Sequence, residues 1–333
     1  MSDAAAHETP DRGHIPTERR HPASAAIDTM GVEQALRLIN AQDMHVPTIV
    51  RDAIPAIARL VEAIVERMRH GGRLIYAGAG TSGRLGVLDA SECPPTFHSD
   101  PEQVVGVIAG GDAALRQAVE AREDAEDAAR EELAKLNLTP QDTVLGIAAG
   151  GTTPWVWGAL AAAREHKCIA ALLTCVPVAA VLAPPRAPVV APDQKVNAPA
   201  RRTLPANPDH IIELPVGPEV ITGSTRMKAG TATKLALNMI STTVMIQLGK
   251  TWGNLMVDLR VNSAKLRDRA LRMLQHQAEL DRAEAARLLD AAGGSVKLAL
   301  VMARLNLDAD TARQRLDAAQ GHLRPLLGPP KQK

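Results

Sequence analysis

The chain has 333 residues, 46% hydrophobic and only 2% aromatic, with 38 Lys and Arg against 37 Asp and Glu, a formal charge of +1. This length and apolar content suffice for one large or two medium domains. The balanced charge gives no field to gather nucleic acid or an anionic membrane, and so few aromatics leave no base-stacking platform.

Residues 1–22 are polar and carry Pro10, Gly13, Pro16 and Pro22, so a disordered or loosely attached arm is expected there. Between residues 31 and 70, Leu36, Ile39, Ile54, Ile57, Leu60, Ile64, Val65 and Met68 recur at helical spacing. The pattern is interrupted at Pro47 and Pro55 and stops at Gly71-Gly72. Residues 74–77 form an apolar strand that opens into Gly78-Ala79-Gly80-Thr81-Ser82-Gly83 and then a helix-compatible segment bearing Glu92. Strand, glycine loop and helix start together read as an anion site: the glycines admit a phosphate close to the backbone, and Thr81 and Ser82 add hydroxyl donors.

The pattern then repeats. Residues 104–109 are a second strand, and Gly110-Gly111-Asp112 is a turn with Asp112 as N-cap of a long charged helix running to about Leu136. A third strand, residues 143–148, ends in Ala149-Gly150-Gly151-Thr152-Thr153-Pro154, followed by a helix in which Trp155 and Trp157 read as packing residues. A fourth strand covers 168–173, residues 176–208 are a proline-dense irregular excursion, and a fifth strand covers 210–216. Residues 217–225 lead into a helix from about Arg226 to Leu248, and residues 256–333 read as a small C-terminal helical domain. The fold class is α/β: a doubly wound, mainly parallel sheet flanked by helices, with ligands expected at the carboxyl ends of strands, where both glycine loops lie.

Cys93, Cys168 and Cys175 form neither a CxxC pair nor an even framework, which fits a reducing compartment. No metal-ligand spacing occurs, and neither metal nor other cofactor is expected. With no apolar signal core near the N-terminus and no run of about 18 apolar residues, cytoplasm is the expected location.

Four stretches together carry a family resemblance. They are Gly78-Ala-Gly-Thr-Ser-Gly-Arg-Leu-Gly-Val-Leu-Asp-Ala-Ser-Glu-Cys-Pro-Pro95, Glu120 with Glu123-Asp124, Thr222-Gly-Ser-Thr-Arg-Met-Lys-Ala-Gly-Thr231, and Gly253-Asn-Leu-Met-Val-Asp258. In this order, across residues 17–327, they resemble the N-acetylmuramic acid 6-phosphate etherases. The resemblance implies a sugar isomerase (SIS) domain, here residues 23–255, and a homodimer. It also implies hydrolysis of the ether joining D-lactate to the sugar, leaving N-acetylglucosamine 6-phosphate. Glu92 matches the family's proton donor and Glu123 its second catalytic glutamate, the expected base at C2. Thr81, Ser82, Gly83, Gly150, Gly151, Thr152, Ser224 and Lys228 are the expected substrate- and phosphate-binding set.

The chemistry explains why two carboxyl groups suffice. An open-chain sugar has an aldehyde at C1 that acidifies the C2 proton, so lactate leaves from C3 by elimination and water adds back. One group must act as base, and another must protonate the departing oxygen and later activate water. The second loop departs from the family's usual Ala-Ser-Gly-Arg-Thr-Pro-Tyr, and Thr152 and Thr153 are expected to replace part of the lost donors. Arg84 is open to capping or to pairing with Asp89, and Arg226 and Lys228 to being surface cations or part of an anion site. Two further classes stay in view. A non-catalytic sugar-phosphate sensor would bind without turnover. A dinucleotide oxidoreductase is suggested by Gly78-Ala-Gly-Thr-Ser-Gly83, but no acidic residue ends the second strand.

Overall fold

Five apolar runs build the centre of the molecule, seen in a computed structural model that describes residues 12–117, 122–183, 204–259 and 261–332. β1 (Leu74–Gly78), β2 (Val104–Ile108), β3 (Thr143–Ile147), β4 (Ile169–Thr174) and β5 (His210–Glu213) form one sheet in the order β2-β1-β3-β4-β5. All four pairings are parallel, with Leu74 facing Val104 and Thr143, Thr143 facing Ile169, and Ala171 facing His210. Every residue of β1 and β3 is buried, as expected of strands covered by helices on both faces.

Alternation along the strands sorts the two cores. Leu74, Tyr76 and Leu145 join Leu60, Ile64, Ile240 and Val244 on one face, beneath α3 (Ile54–Arg69), α4 (Gly80–Phe97) and α9 (Lys228–Gln247). Ile75, Ala77 and Val144 join Leu133, Trp155 and Leu160 on the other, beneath α6 (Glu126–Ala134) and α7 (Pro154–Glu165). The chain leaves β1 for β2 at one edge and returns to β3 on β1's other side. The carboxyl ends of β1 and β3 therefore flank the switch point where such sheets bind ligands.

The proline interruptions are helix starts. Pro47 and Pro55 occupy the first turns of α2 (Val46–Asp52) and α3, where a missing N–H costs nothing, after α1 (Val32–Asp43). At the other end, α10 (Ala264–Ala278), α11 (Arg282–Ala291), α12 (Val296–Leu305) and α13 (Ala309–Ala318) are each capped by a side chain written just before them. The caps are Ser263, Asp281 in a capping box with Glu284, Ser295 and Asp308. Together with α14 (Arg324–Leu327) these helices enclose their own core around Trp252, Leu274, Leu289 and Leu300.

Three expectations change. Residues 12–22 are folded onto the body, not loosely attached: Ile15 and Thr17 are buried, and the Thr17 carbonyl accepts the Gly223 N–H at 3.2 Å. Residues 1–11 lie outside the described residues. The long helix from Asp112 is broken into α5 (Ala113–Arg116) and α6, because Gln117 turns extended and Asp112 makes no side-chain cap. Within the excursion, residues 178–182 form a short helix, α8 (Val178–Leu182), and residues 184–203 lie outside the described residues.

Candidate active site

At the end of β1 the backbone makes its turn in two residues. Ala79 is extended, Gly80 takes φ +53°, and the helix begins at Gly80, so Thr81, Ser82 and Gly83 belong to its first turn. The expected glycine loop is thus shorter and the helix longer. The tightness is what demands glycine: a Cβ on Gly83 would sit 2.5 Å from the Gly78 carbonyl oxygen and 2.7 Å from Ile108 Cγ1. The N-cap residue of α4, Ala79, has no polar side chain to satisfy the first backbone donors, and an 18-residue helix adds its dipole there.

Two other segments converge on this helix start. A Cβ on Gly80 would lie 2.9 Å from Glu123 Oε1, so the Glu123 carboxyl group lies over the first turn of α4. The Glu123 carbonyl in turn accepts the Trp155 N–H at 3.0 Å, which ties it to the start of α7. From the other side, Thr81 packs against Gly230 in the first turn of α9, beside the loop that carries Ser224 and Thr225. The structure therefore brings Thr81, Glu123 and the 224–225 loop to one place.

The second glycine loop is next to it but differently occupied. Gly151 has φ +68°, its carbonyl accepts the Trp157 indole N–H at 3.1 Å, and a Cβ would meet Val181 at 2.6 Å. Gly151 and Thr152 line a groove of about 260 Å3 with Trp157, Val181, Leu182 and Leu204. Gly150 faces residues 15 and 17 of the N-terminal segment. The Thr17 hydroxyl there is fully buried without a partner among the described residues, a polar group the sequence reading assigned no role. Both tryptophans are buried, as expected of packing residues.

Lys228 is buried, not a surface cation. Its ammonium donates to Gln42 Oε1 at 3.3 Å, and burial lowers its pKa against the pull of Glu219 and Asp43. Arg226 is exposed. The start of α9 already holds an anion of the protein's own, since Glu219 accepts the N–H groups of Lys228 and Ala229 at 3.1 and 2.9 Å. Burial raises the Glu219 pKa while those two donors oppose it. No sequence pattern marked Glu219, because it caps from nine and ten residues away.

Glu92 lies three turns along α4, exposed, in a groove of about 260 Å3 with Leu85, Leu88, Asp89, Lys234, Leu237 and Asn238. Asp89 accepts the Tyr76 hydroxyl at 2.9 Å, so Arg84 is not its partner. The Arg84 guanidinium instead donates to the carbonyls of Leu115 and Gln117, closing the end of α5. Burial, then the Asp89 charge, pushes the Cys93 thiol up to about 12, which leaves it no nucleophile at neutral pH. Along the helix, twelve residues separate Gly80 from Glu92, about 18 Å at 1.5 Å per residue. Allowing for both side chains, the Glu92 and Glu123 carboxyl groups of one chain stay about 10 Å or more apart.

Residues 56–164 match the family model of the glucokinase regulatory protein N-terminal SIS domain. Over nearly its full length the chain is similar to curated proteins of one name, N-acetylmuramic acid 6-phosphate etherase. It is 46% identical over 327 residues to that of Prochlorococcus marinus (strain MIT 9313), covering 98% of this chain and 96% of the relative. It is 48% identical over 314 residues to that of Gloeobacter violaceus (strain ATCC 29082 / PCC 7421), covering 94% and 95%. Against that of Parasynechococcus marenigrum (strain WH8102) it is 48% identical over 324 residues, covering 97% and 95%.

Proposed function

The chain belongs to the N-acetylmuramic acid 6-phosphate etherase family, and we propose that it converts N-acetylmuramic acid 6-phosphate into N-acetylglucosamine 6-phosphate and D-lactate. The observation that carries the reading is the meeting of a helix start whose N-cap residue has no polar side chain, the Thr81 and Ser82 hydroxyls and the Glu123 carboxyl group at the carboxyl end of β1. Such a place holds a phosphate and keeps a base near it. Relatives that carry an enzyme's name over nearly the whole chain favour turnover over the sensor reading.

In this mechanism Thr81, Ser82 and Gly83 bind the phosphate. Ser224 and the Gly150-Gly151-Thr152 loop form its rims, and the buried Lys228 adds positive charge behind Ser224. Glu123 takes the C2 proton of the open-chain sugar. The electrons form the C2–C3 double bond, the C3–O bond breaks, and Glu92 gives its proton to the departing lactate oxygen. Glu92, now a carboxylate, takes a proton from water as the oxygen adds at C3, and C2 recovers its proton from Glu123. Glu92, Glu123 and the added water together account for every proton, and no cofactor enters a step.

The separation of the two glutamates shapes the assembly. C2 and C3 are bonded neighbours, so groups about 10 Å or more apart in one chain do not both reach them. We therefore read the working unit as a homodimer in which Glu92 and Glu123 of the partner subunit face one substrate. Exposed apolar side chains fit this: α1 has no buried residue, with Val32 80% and Leu36 61% exposed, and Leu88 is 49% exposed beside Glu92. No helix among the described residues is long and apolar enough to cross a membrane, and the three cysteines are buried free thiols, so we place the protein in the cytoplasm.

A coupled D-lactate assay on N-acetylmuramic acid 6-phosphate tests the function. Glu92→Gln and Glu123→Gln are each expected to lower kcat by about 10²- to 10⁴-fold with an unchanged Tm. Absence of D-lactate release by the unsubstituted protein would sink the reading.

A further inference from the structure

The groove around Glu92 contains a cation that the proton transfers leave unused. Leu85, Leu88, Asp89 and Glu92 share one face of α4, at helical spacings of three and four, and Lys234, Leu237 and Asn238 share the facing side of α9. Between them lies a cavity of about 260 Å3 lined by both apolar and charged side chains. Among the described residues the lysines in ion pairs are Lys250, Lys297 and Lys331, and Lys234 is in none. Its ammonium nitrogen lies 3.3 Å from the Asn238 side-chain amide.

Of the two carboxyl groups in the groove, Asp89 is turned inward, bonded by the Tyr76 hydroxyl at 2.9 Å and by Ser241; burial raises its pKa, these bonds and the Lys234 charge oppose the rise, and Asp89 forms no ion pair with Lys234. Glu92 is protonated until it gives its proton to the lactate oxygen. The leaving group, by contrast, brings a carboxylate two bonds from the oxygen that Glu92 protonates. An anion entering an apolar groove is costly unless a cation or donor meets it.

We propose that Lys234, with the Asn238 amide, binds the lactyl carboxylate, while Leu88 and Leu237 receive the lactyl methyl group. The proposal rests on Glu92 being the proton donor to the lactate oxygen, and it makes Lys234 the residue that selects an acidic ether substituent at C3. A sugar phosphate bearing a neutral ether at C3 gives Lys234 nothing to bind.

The test compares two substrates, N-acetylmuramic acid 6-phosphate and its lactamide analogue, in which a carboxamide replaces the carboxylate. Lys234→Met is expected to lower kcat/KM for the acid by about 10- to 100-fold, the usual effect of losing a charge-assisted bond, and to change the amide by about twofold at most. Lys234→Arg should restore part of the preference for the acid. Lys234 is exposed, so these variants should fold, and an unchanged Tm checks it. Equal losses on both substrates, or no loss on the acid, overturn the carboxylate site and leave the etherase intact. Failure of the unsubstituted protein to release D-lactate overturns the etherase reading, and this proposal with it.

Discussion

At the scale of single residues, a buried ion pair and the proposed chemistry sit at opposite ends of the same strands. At the amino ends of β1 and β3, Asp142 is 1% exposed and accepts the Arg73 backbone N–H at 2.9 Å, the Arg73 guanidinium at 3.0 and 2.7 Å, and the Thr139 N–H at 2.8 Å. Burial alone would raise the Asp142 pKa, but these donors outweigh it and hold the carboxyl group below its ordinary 3.8. Asp142→Asn leaves Arg73 without its counter-charge and is expected to cost about 3 kcal/mol in urea unfolding at neutral pH, with kcat unchanged. The sign follows from the lowered value: the unfolded chain takes up the proton first. The stabilisation is complete above the ordinary carboxylate range and is lost as pH falls through the lowered pKa. The stability gap between the unsubstituted protein and the Asp142→Asn variant should therefore close in acid, and a gap that persists there would count against the charge interaction.

At the scale of elements, neither helix start beside the site has a capping side chain at its N-cap position: α4 follows Ala79 and α9 follows Met227, and the first donors of α9 are met by Glu219 from nine and ten residues away. Glu219→Ala removes an acceptor from two buried N–H groups and is expected to destabilise the protein by about 2 kcal/mol, read as a lower midpoint in chemical denaturation. A neutral result would mean that water or another group satisfies those donors. The Glu219 cap also measures what a reader of the sequence could see. The strands and the α4 glycines were legible because close packing needs no side chain and buried parallel strands are continuously apolar. The C-terminal helices were legible through their neighbouring caps. Glu219 was not, because its partners are brought close only by the turn at residues 217–227. The inward aim of Lys228 was hidden as well, since it depends on Gln42 in α1, 186 positions away. The break after Arg116 was missed because a run of good helix formers does not reveal that Arg84 holds the carbonyls of Leu115 and Gln117.

At the scale of the whole molecule, residues read as separate pieces become one structure around the switch point. The N-terminal segment, expected as a loose arm, is instead a strap between two loops. Ile15 and Thr17 face Gly150, while the Thr17 carbonyl holds Gly223. Its burial came from two side chains among many polar neighbours, too few for a periodic signal. The C-terminal helices are joined to the end of α9 by Lys297, whose ammonium reaches Asp258 at 2.8 Å and the Gly249 carbonyl at 3.0 Å. Asp258 lies in the last of the resembling motifs, so that stretch helps to anchor the appendage.

The length of α4 has a genetic consequence. If each reaction centre takes one glutamate from either chain, two inactive proteins should rescue one another. In a dimer of one Glu92→Gln and one Glu123→Gln subunit, one centre receives both defects and the other receives none. Random re-pairing of equal amounts gives mixed dimers in about half of cases, each with one of two centres whole, so about a quarter of normal activity should return. Were both glutamates drawn from the same chain, no re-pairing would reunite them, and the mixture would stay as inactive as its parts.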